Sequence, residues 1–463
     1  FEENGDRQPV PYVIPPGVNR QVANVGTGQS LQLNEQALAL QVCNLKDGDT
    51  RAVFKEVGVD MRQFKGLRMF MHAESRVGQQ PLKDGDLRAI VRIGSDFTNN
   101  YYEYQLPLKI TAPGSTSTDD VWPTANRLDL NLDDLVNAKT ERNSKGIAAF
   151  IPYTITTKDG NYITVVGNPN IGDSKTMLLG VTNPKKTNQT PTDDGLAKCT
   201  EVWFNELRMV GLNESAGYAA SGKVAIQLAD LGTVNLGGTM HTAGYGNIDQ
   251  KLNQRFRDNF YQYNASTNLN VGKLMPRKWG VQLPVFVGYS ENISNPQYDP
   301  YDLDVKYKDK LNSAKDGAQR DSMRKVAQDY TSITSFNLSN VRILGNPEKQ
   351  AKQTMPWSVK NFDVSYAYNK QFKRNPIIQS DELVNHRIGL AYTYNIKTYS
   401  VEPFKRMIKS KSKWWALLKD FNLNLLPANF TFRTDLNKIM NETLVRNVTD
   451  GPISIQPTYY KNF

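Results

Sequence analysis

Residues 361–369 read Asn-Phe-Asp-Val-Ser-Tyr-Ala-Tyr-Asn, and this alternation decides the fold. Because successive side chains of a β-strand point to opposite faces, every second residue shares a surface. One surface would be aromatic and aliphatic, carrying Phe362, Val364, Tyr366 and Tyr368. The other would be small and polar, carrying Asp363, Ser365, Ala367 and Asn369. The stretch therefore predicts a strand whose two faces meet different surroundings.

The same two-faced pattern continues through the second half of the chain. Three further stretches repeat it, at 388–394, 421–425 and 430–432. Their apolar positions add Leu390, Tyr392, Leu423 and Phe432. Their polar positions add Thr393, Asn422 and Asn424. Less regular strand candidates lie at 223–236, 261–274, 281–289 and 332–343.

A soluble sandwich and a membrane barrel both produce such alternation, and three features favour the barrel. The segments approach the roughly 9–11 residues that a tilted strand needs to cross a bilayer. Tyrosine pairs lie at strand ends, where interfacial aromatic girdles form. The polar face favours small, uncharged residues, which suit a hydrated lumen. We therefore predict antiparallel transmembrane strands with the apolar face toward lipid and the polar face toward a pore.

An open sheet edge is not tolerated in lipid, so these strands must close a small barrel or form an arc of a very large one. The sequence starts at Phe1 in a polar stretch and stops at Phe463, just after Tyr459 and Tyr460. These abrupt ends favour the arc. The expectation is that the sequence is an internal piece of a longer polypeptide or a processed product.

A basic stretch at 404–418 contains several lysines followed by Trp414 and Trp415. Cations facing lipid headgroups and indoles at the hydrocarbon boundary are typical of a membrane interface. Nucleic acid is a weaker interpretation, because the cluster is local and no known nucleic-acid-binding motif accompanies it. We therefore predict Trp414 and Trp415 as interfacial residues.

Residues 37–212 predict a different all-β domain. Short apolar strands separated by turns such as Lys158-Asp-Gly-Asn161 favour a β-sandwich of jelly-roll type. A single short helix is expected around 128–138. The Pro-rich residues 1–36 predict an extended lead-in. The predicted division is 1–36, 37–212 and 213–463.

Composition excludes several classes of protein. The chain has 463 residues, a net charge of +10 and a mean hydropathy of −0.54. It has no run of about 18 apolar residues, which excludes a helical membrane protein but not a β-barrel. Two cysteines exclude a disulfide-rich mini-domain.

Metal ligation has little support. A zinc site with three histidine ligands would consume every histidine in the chain, and these lie far apart in sequence. Asp299, Asp302 and Asp304 have a spacing that calcium could use, but the Gly and Glu of an EF-hand loop are missing. A turn-stabilising cluster is therefore favoured over calcium.

Catalysis has no clear candidate either. Glu201 and Glu206 flank Trp203, as an acid pair beside an aromatic does in glycosidases. Their odd spacing places them on opposite faces of a strand, which favours structural roles. No nucleophile-elbow or phosphate-loop motif is present in the sequence.

The two cysteines suggest a pairing. Cys43 lies in the first predicted sandwich strand and Cys199 at the start of the last. Since first and last strands of jelly rolls are often neighbours, a disulfide is geometrically possible in an oxidising compartment. Two buried free thiols are the alternative.

A dense, ordered series of short motifs carries a family resemblance across nearly the whole chain. It includes EENGDRQPVPYVIPPG at 2–17, LRMFMHAE at 67–74, NYYEY at 100–104, VGNPNIG at 166–172, EVWFNELR at 201–208, PQYDP at 296–300 and FNLNLLP at 421–427. Together they resemble the SprA/Sov family, the giant outer-membrane translocon of the type IX secretion system, which is linked to gliding motility. Family members are several times longer, so this chain would be a central segment.

The resemblance implies one very large barrel, about 36 strands in the largest known case. Folded cargo with a C-terminal sorting domain would pass through it. A lateral opening would face a PorV-type partner protein, and a plug protein would shut the periplasmic mouth. The remainder of the same barrel and outer-membrane lipid would surround this segment, with loops at the cell surface and in the periplasm. The 37–212 domain would be a galactose-binding-like cap, and no enzymatic activity, cofactor or nucleic acid is expected.

Two alternatives stay open from the sequence. A secreted carbohydrate-binding or adhesin protein with two sandwiches would need no detergent and would expose a groove near Trp122 or Trp203. A glycoside hydrolase would need two carboxylates about 5–9.5 Å apart in a cleft. A requirement for detergent would separate both from the translocon.

Overall fold

A computed structural model describes residues 7–20, 22–24, 30–187, 193–251, 254–345, 354–397, 400–405, 407, 413–416, 420–424, 426–447 and 456–463. The chain is mainly β, and every paired strand is antiparallel to its neighbour. It divides into two compact units. Unit 1 comprises 1–215 and 301–306, and unit 2 comprises 216–300 and 307–463. Unit 1 thus includes the lead-in and a short second piece of chain.

Unit 1 contains twelve strands and two helices among its described residues. The strands are β1 (Val22–Asn24), β2 (Ser30–Gln32), β3 (Leu38–Leu45), β4 (Thr50–Val59), β5 (Phe64–Ser75), β6 (Arg88–Gly94), β7 (Tyr101–Pro107), β8 (Leu128–Asn131), β9 (Tyr153–Thr156), β10 (Tyr162–Val166), β11 (Ser174–Thr182) and β12 (Lys198–Leu212). The helices are α1 (Thr118–Val121) and α2 (Leu132–Ser144).

Two sheets of unit 1 form the predicted sandwich. One has six strands in the order β4-β11-β6-β7-β10-β9, and the other has four in the order β3-β12-β5-β8. Apolar residues fill the space between the sheets, and they include Leu45, Leu67, Met71, Val91, Tyr102, Ile163, Val181 and Phe204. First and last sandwich strands, β3 and β12, are neighbours.

The predicted helix at 128–138 is placed too early. Residues 128–131 alternate buried and exposed positions and form β8 beside β5. The side chain of Asn131 then accepts a hydrogen bond from the backbone N–H of Asp133, which caps the start of α2. The alternation ends at this cap, and the helix runs on to Ser144.

Unit 2 contains twelve strands and two helices among its described residues. The strands are β13 (Ala219–Leu228), β14 (Gly232–His241), β15 (Asp258–Asn270), β16 (Val281–Gln282), β17 (Pro284–Pro296), β18 (Asp329–Ile343), β19 (Phe362–Arg374), β20 (Ile378–Asn395), β21 (Ser400–Val401), β22 (Leu423–Asn424), β23 (Asn429–Val445) and β24 (Thr458–Asn462). The helices are α3 (Tyr307–Asn312) and α4 (Gly317–Ala327).

Unit 2 is built on one up-and-down sheet in the order β13-β14-β15-β17-β18-β19-β20-β23-β24, with β16 paired to β18. Within the described residues the sheet is open, since β13 and β24 are each paired on one side. The predicted strand at 421–425 is not part of it, because Leu423 and Asn424 form β22, which pairs with β21 in a separate ribbon. None of the helices in the described residues is long and apolar enough to span a membrane.

Candidate functional site

The register of unit 2 brings the predicted apolar residues onto one face. Phe362 lies opposite Tyr392, which lies opposite Phe432 on the next strand. Val364 lies opposite Leu390, and Tyr366 is two residues further along β19. Directly opposed residues of antiparallel strands share a face. Six of the seven predicted lipid-facing side chains therefore share a single surface across β19, β20 and β23.

Leu423 is the exception. It lies in the β21–β22 ribbon, outside the main sheet, and Asn424 lies there with it. Asn422 precedes that ribbon and has no regular structure. Alternation over five residues predicted a strand correctly. This strand, β22, pairs with β21, which belongs to the same connection between β20 and β23. These three residues therefore do not extend the two faces of the main sheet.

The predicted polar residues share the opposite face. Asp363 lies opposite Ala391, and Ser365 lies opposite Gly389. Thr393 lies two residues from Ala391 along β20, so it shares that face. One row of this face crosses six strands through Asn235, Ser266, Gly288, Ser335, Asn369 and Asn385, and it continues to Ala225 on β13 and Ile439 on β23. The sequence predicted a polar face on individual strands. The register shows that the polar faces of neighbouring strands lie side by side.

The apolar face also continues across the sheet. A row from β13 to β19 runs through Ile226, Val234, Thr267, Val287, Phe336 and Tyr368. A neighbouring row runs through Leu269, Val285, Leu338, Tyr366, Ile388 and Leu436. The first row continues to His386 on β20 and Lys438 on β23, so the apolar surface extends over most strands of the sheet and is not confined to one hairpin.

Within the described ranges, no second layer covers this face. Among the described residues of unit 2, the buried hydrophobic side chains are Tyr307, Ala327 and Val384. On the face itself, Ile388 is 44% exposed and Leu436 is 56% exposed. Leaving such a side chain in water forfeits about 1.5–3 kcal/mol of burial free energy. A sheet of this size with one bare apolar face therefore requires an apolar medium or a covering partner.

Charges mark one end of the apolar face. On β19 and β20, Lys370 and Glu382 form a salt bridge at 2.8 Å. On the same face, the guanidinium of Arg374 lies 4.6 Å from the ring centre of Tyr330. These residues lie at the end of the sheet where β17 is connected to β18 through α3 and α4. On the apolar face of β20, no Asp, Glu, Lys or Arg occurs from Val384 to Tyr394, and Leu390 lies near the middle of this run.

Exposed tryptophans lie at the other end of the strands. Connections between antiparallel neighbours alternate between the two ends of a sheet. The β15–β17, β18–β19 and β20–β23 connections share one end, and each carries an exposed indole. Trp279 is 59% exposed, Trp357 is 79% exposed and Trp414 is 93% exposed. Trp415 is half exposed in the same short turn as Trp414. Sequence reasoning missed Trp279 and Trp357, although the basic residues Arg277 and Lys278 precede the first.

A buried charge network lies in unit 1. The Lys139 ammonium on α2 lies 2.6 Å from Asp302 and 3.3 Å from Asp304. Asp304 also accepts hydrogen bonds from the Tyr102 hydroxyl (2.7 Å) and the Ile171 N–H (2.6 Å). Burial raises the pKa of the Asp304 carboxyl, against the opposing attraction of Lys139. The network fixes residues 301–306 within unit 1.

This network also bears on the possible calcium loop. Asp299 belongs to unit 2 and pairs there with Lys310 at 2.5 Å. Asp302 and Asp304 instead neutralise Lys139. Each of the three carboxylates thus forms a salt bridge with a lysine. Within the described residues, no group of three or more His, Cys, Asp or Glu is arranged to hold a metal ion.

A second buried cluster holds the lead-in against the four-stranded sheet. Glu74 and Glu201 lie opposite each other on β5 and β12, and the Arg7 guanidinium contacts both, at 2.5 and 2.6 Å. Burial by itself raises the pKa of Glu74, but hydrogen bonds from His72 and Arg7 outweigh it and lower that pKa. One guanidinium thus bridges two buried carboxylates.

The aromatic residues of this region are covered. Trp203 is 0% exposed and Trp122 is 3% exposed, because Tyr12 of the lead-in packs on both. His72 stacks on Trp203 with ring centres 3.9 Å apart. The adhesin alternative predicted an exposed carbohydrate-binding groove near Trp122 or Trp203. This prediction is wrong for these two residues, because both indoles are buried.

Cys43 and Cys199 form a disulfide between β3 and β12. Their Cα atoms are 4.1 Å apart, and the register of the two strands shifts at this point. The pairing joins the first and last strands of the sandwich.

Residues 1–311 match the model of a protein family described as motility related/secretion protein, SprA_N. The chain belongs to this family. The match covers unit 1 and the strands β13 to β17. A search among curated proteins found no match. Membership relates the chain to motility and secretion, and a secretion-related family fits a membrane or envelope location.

The strands beyond the matched residues continue the same sheet. β18 pairs with β17, and β19, β20 and β23 follow in order with the same two faces. The structural pattern is therefore continuous across the end of the family match at residue 311.

Proposed function

We propose that the chain is the central part of an outer-membrane, protein-conducting translocon of the type IX secretion system, which also serves gliding motility. The ten-stranded sheet is an arc of a very large transmembrane barrel, completed by the remainder of the same barrel. Unit 1 is its cap domain. Membership of a motility and secretion family supports this class of function.

One observation carries the proposal. The sheet of unit 2 is a single layer with an apolar face and a polar face that each continue from strand to strand. A soluble sandwich would pack the apolar face against a second sheet, as unit 1 does. Lipid on one side and water on the other supplies both faces with a matching medium.

The mechanism involves no covalent chemistry. The polar wall, with Asp363, Ser365 and Asn369, keeps a hydrated surface along which folded cargo slides without adhering. Cargo carries a C-terminal sorting domain and leaves through a lateral opening to a PorV-type partner, while a plug protein closes the periplasmic mouth. Exposed Trp279, Trp357 and Trp414 anchor one rim at the lipid interface.

The disulfide supports an extracytoplasmic location. Disulfides persist in the periplasm and at cell surfaces and are rare in the cytosol. The Cys43–Cys199 pair therefore fits a sandwich that lies outside the cytoplasm.

Opposite-face substitutions on β20 test the proposal. Leu390→Arg places a charge near the middle of the apolar run, and Thr393→Arg places the same charge on the polar face. In phospholipid vesicles that hold the complete barrel, of which this sheet is an arc, we expect Leu390→Arg to lower the free energy of unfolding by about 2–4 kcal/mol. Thr393→Arg is expected to have little effect, because its side chain meets water. Denaturant unfolding followed by tryptophan fluorescence measures both.

Two results would contradict the proposal. One is equal tolerance of the two arginines, which would mean that both faces meet the same medium. The other is recovery of the native protein in the soluble fraction without detergent, which would mean that the apolar face is covered by protein.

A further inference from the structure

Unit 1 has an apolar slot where both of its sheets end. β4 is the terminal strand of the six-stranded sheet, and β3 is the terminal strand of the four-stranded sheet. Between them lies a cavity of about 500 Å³. Its lining is mostly aliphatic and includes Leu38, Val53, Val57, Val59, Met177, Leu179 and Met209. The volume is within the usual range of about 300–1,000 Å³ for binding pockets.

The slot reaches into the space between the sheets. Val53 lies opposite Leu179, and Lys55 lies opposite Met177, so these four side chains share the face of β4 and β11 that lines the slot. Away from the slot, the core of unit 1 contains fully buried residues such as Ile163 and Val165. At this edge Leu38 is 44% exposed and Val53 is 37% exposed. Apolar side chains at this edge of the sandwich therefore remain exposed to solvent.

The backbone beside the slot is also available. Throughout the described part of the chain, the ten-residue strand β4 pairs with β11 and with no other strand. A long edge strand with apolar side chains is a template for another strand, and soluble proteins usually protect such edges. Adding a strand to an exposed edge is an established mode of peptide recognition.

One cation is available at the slot. Lys55 lines it and forms no salt bridge within the described residues, whereas the guanidinium of Arg208, which also lines it, lies 5.9 Å from the ring centre of Phe70. The slot therefore complements a ligand that combines apolar side chains with a carboxylate.

We infer that the β4 edge and this slot bind an extended strand of another polypeptide. The strand pairs with β4 through its backbone, every second side chain enters the slot, and an acidic residue meets Lys55. A fatty acid would satisfy the slot and Lys55, but it would leave the β4 backbone unused. The inference concerns unit 1 and does not depend on whether unit 2 spans a membrane.

The test uses the purified full chain and a labelled ten-residue peptide that alternates valine and threonine, with one central valine replaced by glutamate. A matched peptide has one threonine and one valine replaced by proline, so that in either register at least one backbone donor toward β4 is removed. Fluorescence anisotropy measures both. We expect the first peptide to bind and the proline peptide to bind at least about tenfold more weakly.

Variants of the chain locate the site. Lys55→Glu is expected to weaken the glutamate peptide by about tenfold and to favour a lysine-containing counterpart. Lys55 is exposed, so folding is not at stake. Val53→Asp is expected to weaken binding of both the glutamate peptide and the lysine peptide. Val77→Asp, at a loop position that is 74% exposed, is the control and leaves binding unchanged.

Three results would overturn the inference. The first is equal binding of the proline peptide, which would mean that the backbone is not used. The second is binding that Lys55→Glu does not change. The third is binding of decanoate without binding of the glutamate peptide, which would make the slot an acyl-chain site.

Discussion

Replacing Lys139 with methionine should expose how unit 1 holds residues 301–306. The Lys139 side chain is 1% exposed, and its ammonium donates to Asp302, to Asp304 and to the Pro169 carbonyl. Methionine keeps the apolar stem and removes the charge. The Asp304 carboxylate, whose side chain is 0% exposed, then has no cation to neutralise it.

Such a change is costly because a buried charge is left uncompensated. Removing one partner of a buried ion pair typically costs about 3–5 kcal/mol. Asp304 keeps its hydrogen bonds from Tyr102 and Ile171, which places the expected loss toward the lower part of that range. In the double variant Lys139→Met/Asp304→Asn both charges are gone, so the loss should be smaller than the sum of the single losses by about 0.5–3 kcal/mol.

The cost should also depend on pH. Burial already raises the pKa of Asp304, and removing Lys139 takes away the attraction that opposes this rise. A protonated Asp304 needs no cation. The destabilisation by Lys139→Met should therefore shrink as the pH falls, because the variant binds a proton at Asp304 on folding.

Urea unfolding of the full chain, followed by tryptophan fluorescence, measures these differences, since Trp122 and Trp203 are buried in unit 1. Lys145→Met is the matched control. It removes a lysine from the end of the same helix, but its salt bridge with Glu141 is exposed and should matter little. The reasoning is refuted if Lys139→Met costs no more than Lys145→Met, or if the double variant is strictly additive.

Three further predictions concern other contacts. Cys43→Ser should lower the free energy of unfolding of unit 1 by about 2–4 kcal/mol, because the disulfide closes a loop of 156 residues; denaturation with and without reductant checks it. Glu74 has a lowered pKa, so its contribution to stability is present above its unfolded pKa and is lost as pH falls through the lowered value; Glu74→Gln should flatten the acid limb of a stability–pH curve. Trp414→Phe should reduce quenching of tryptophan fluorescence by headgroup-proximal brominated lipids; unchanged quenching would remove Trp414 from the interface.

The two-faced character of unit 2 was predictable because it is a local property. Period-two alternation in residues 361–369 needs no partner to be visible, and it assigned Phe362 and Ser365 to opposite faces. The same reasoning was misleading at Leu423, since alternation reports that a segment can be a strand and does not report which strand it joins. Register across the sheet follows from long ladders and their turns.

Family resemblance and cysteine position were also readable in the sequence. The motifs from residue 2 onward indicated the SprA/Sov family, and the match over 1–311 confirms membership. Cys43 and Cys199 were a candidate pair because jelly-roll topology brings first and last strands together.

The buried charges could be assigned only from the tertiary structure. Lys139 and Asp302 are separated by 163 positions, and no local period links them. The same holds for Arg7, which crosses from the lead-in to Glu74 and Glu201. Because successive side chains of a strand point to opposite faces, consecutive residues show which face each one occupies. The sequence by itself therefore determined the apolar and polar faces of the strands in unit 2. Ion pairs depend on which distant segments share a dry interior, and only the folded chain decided that.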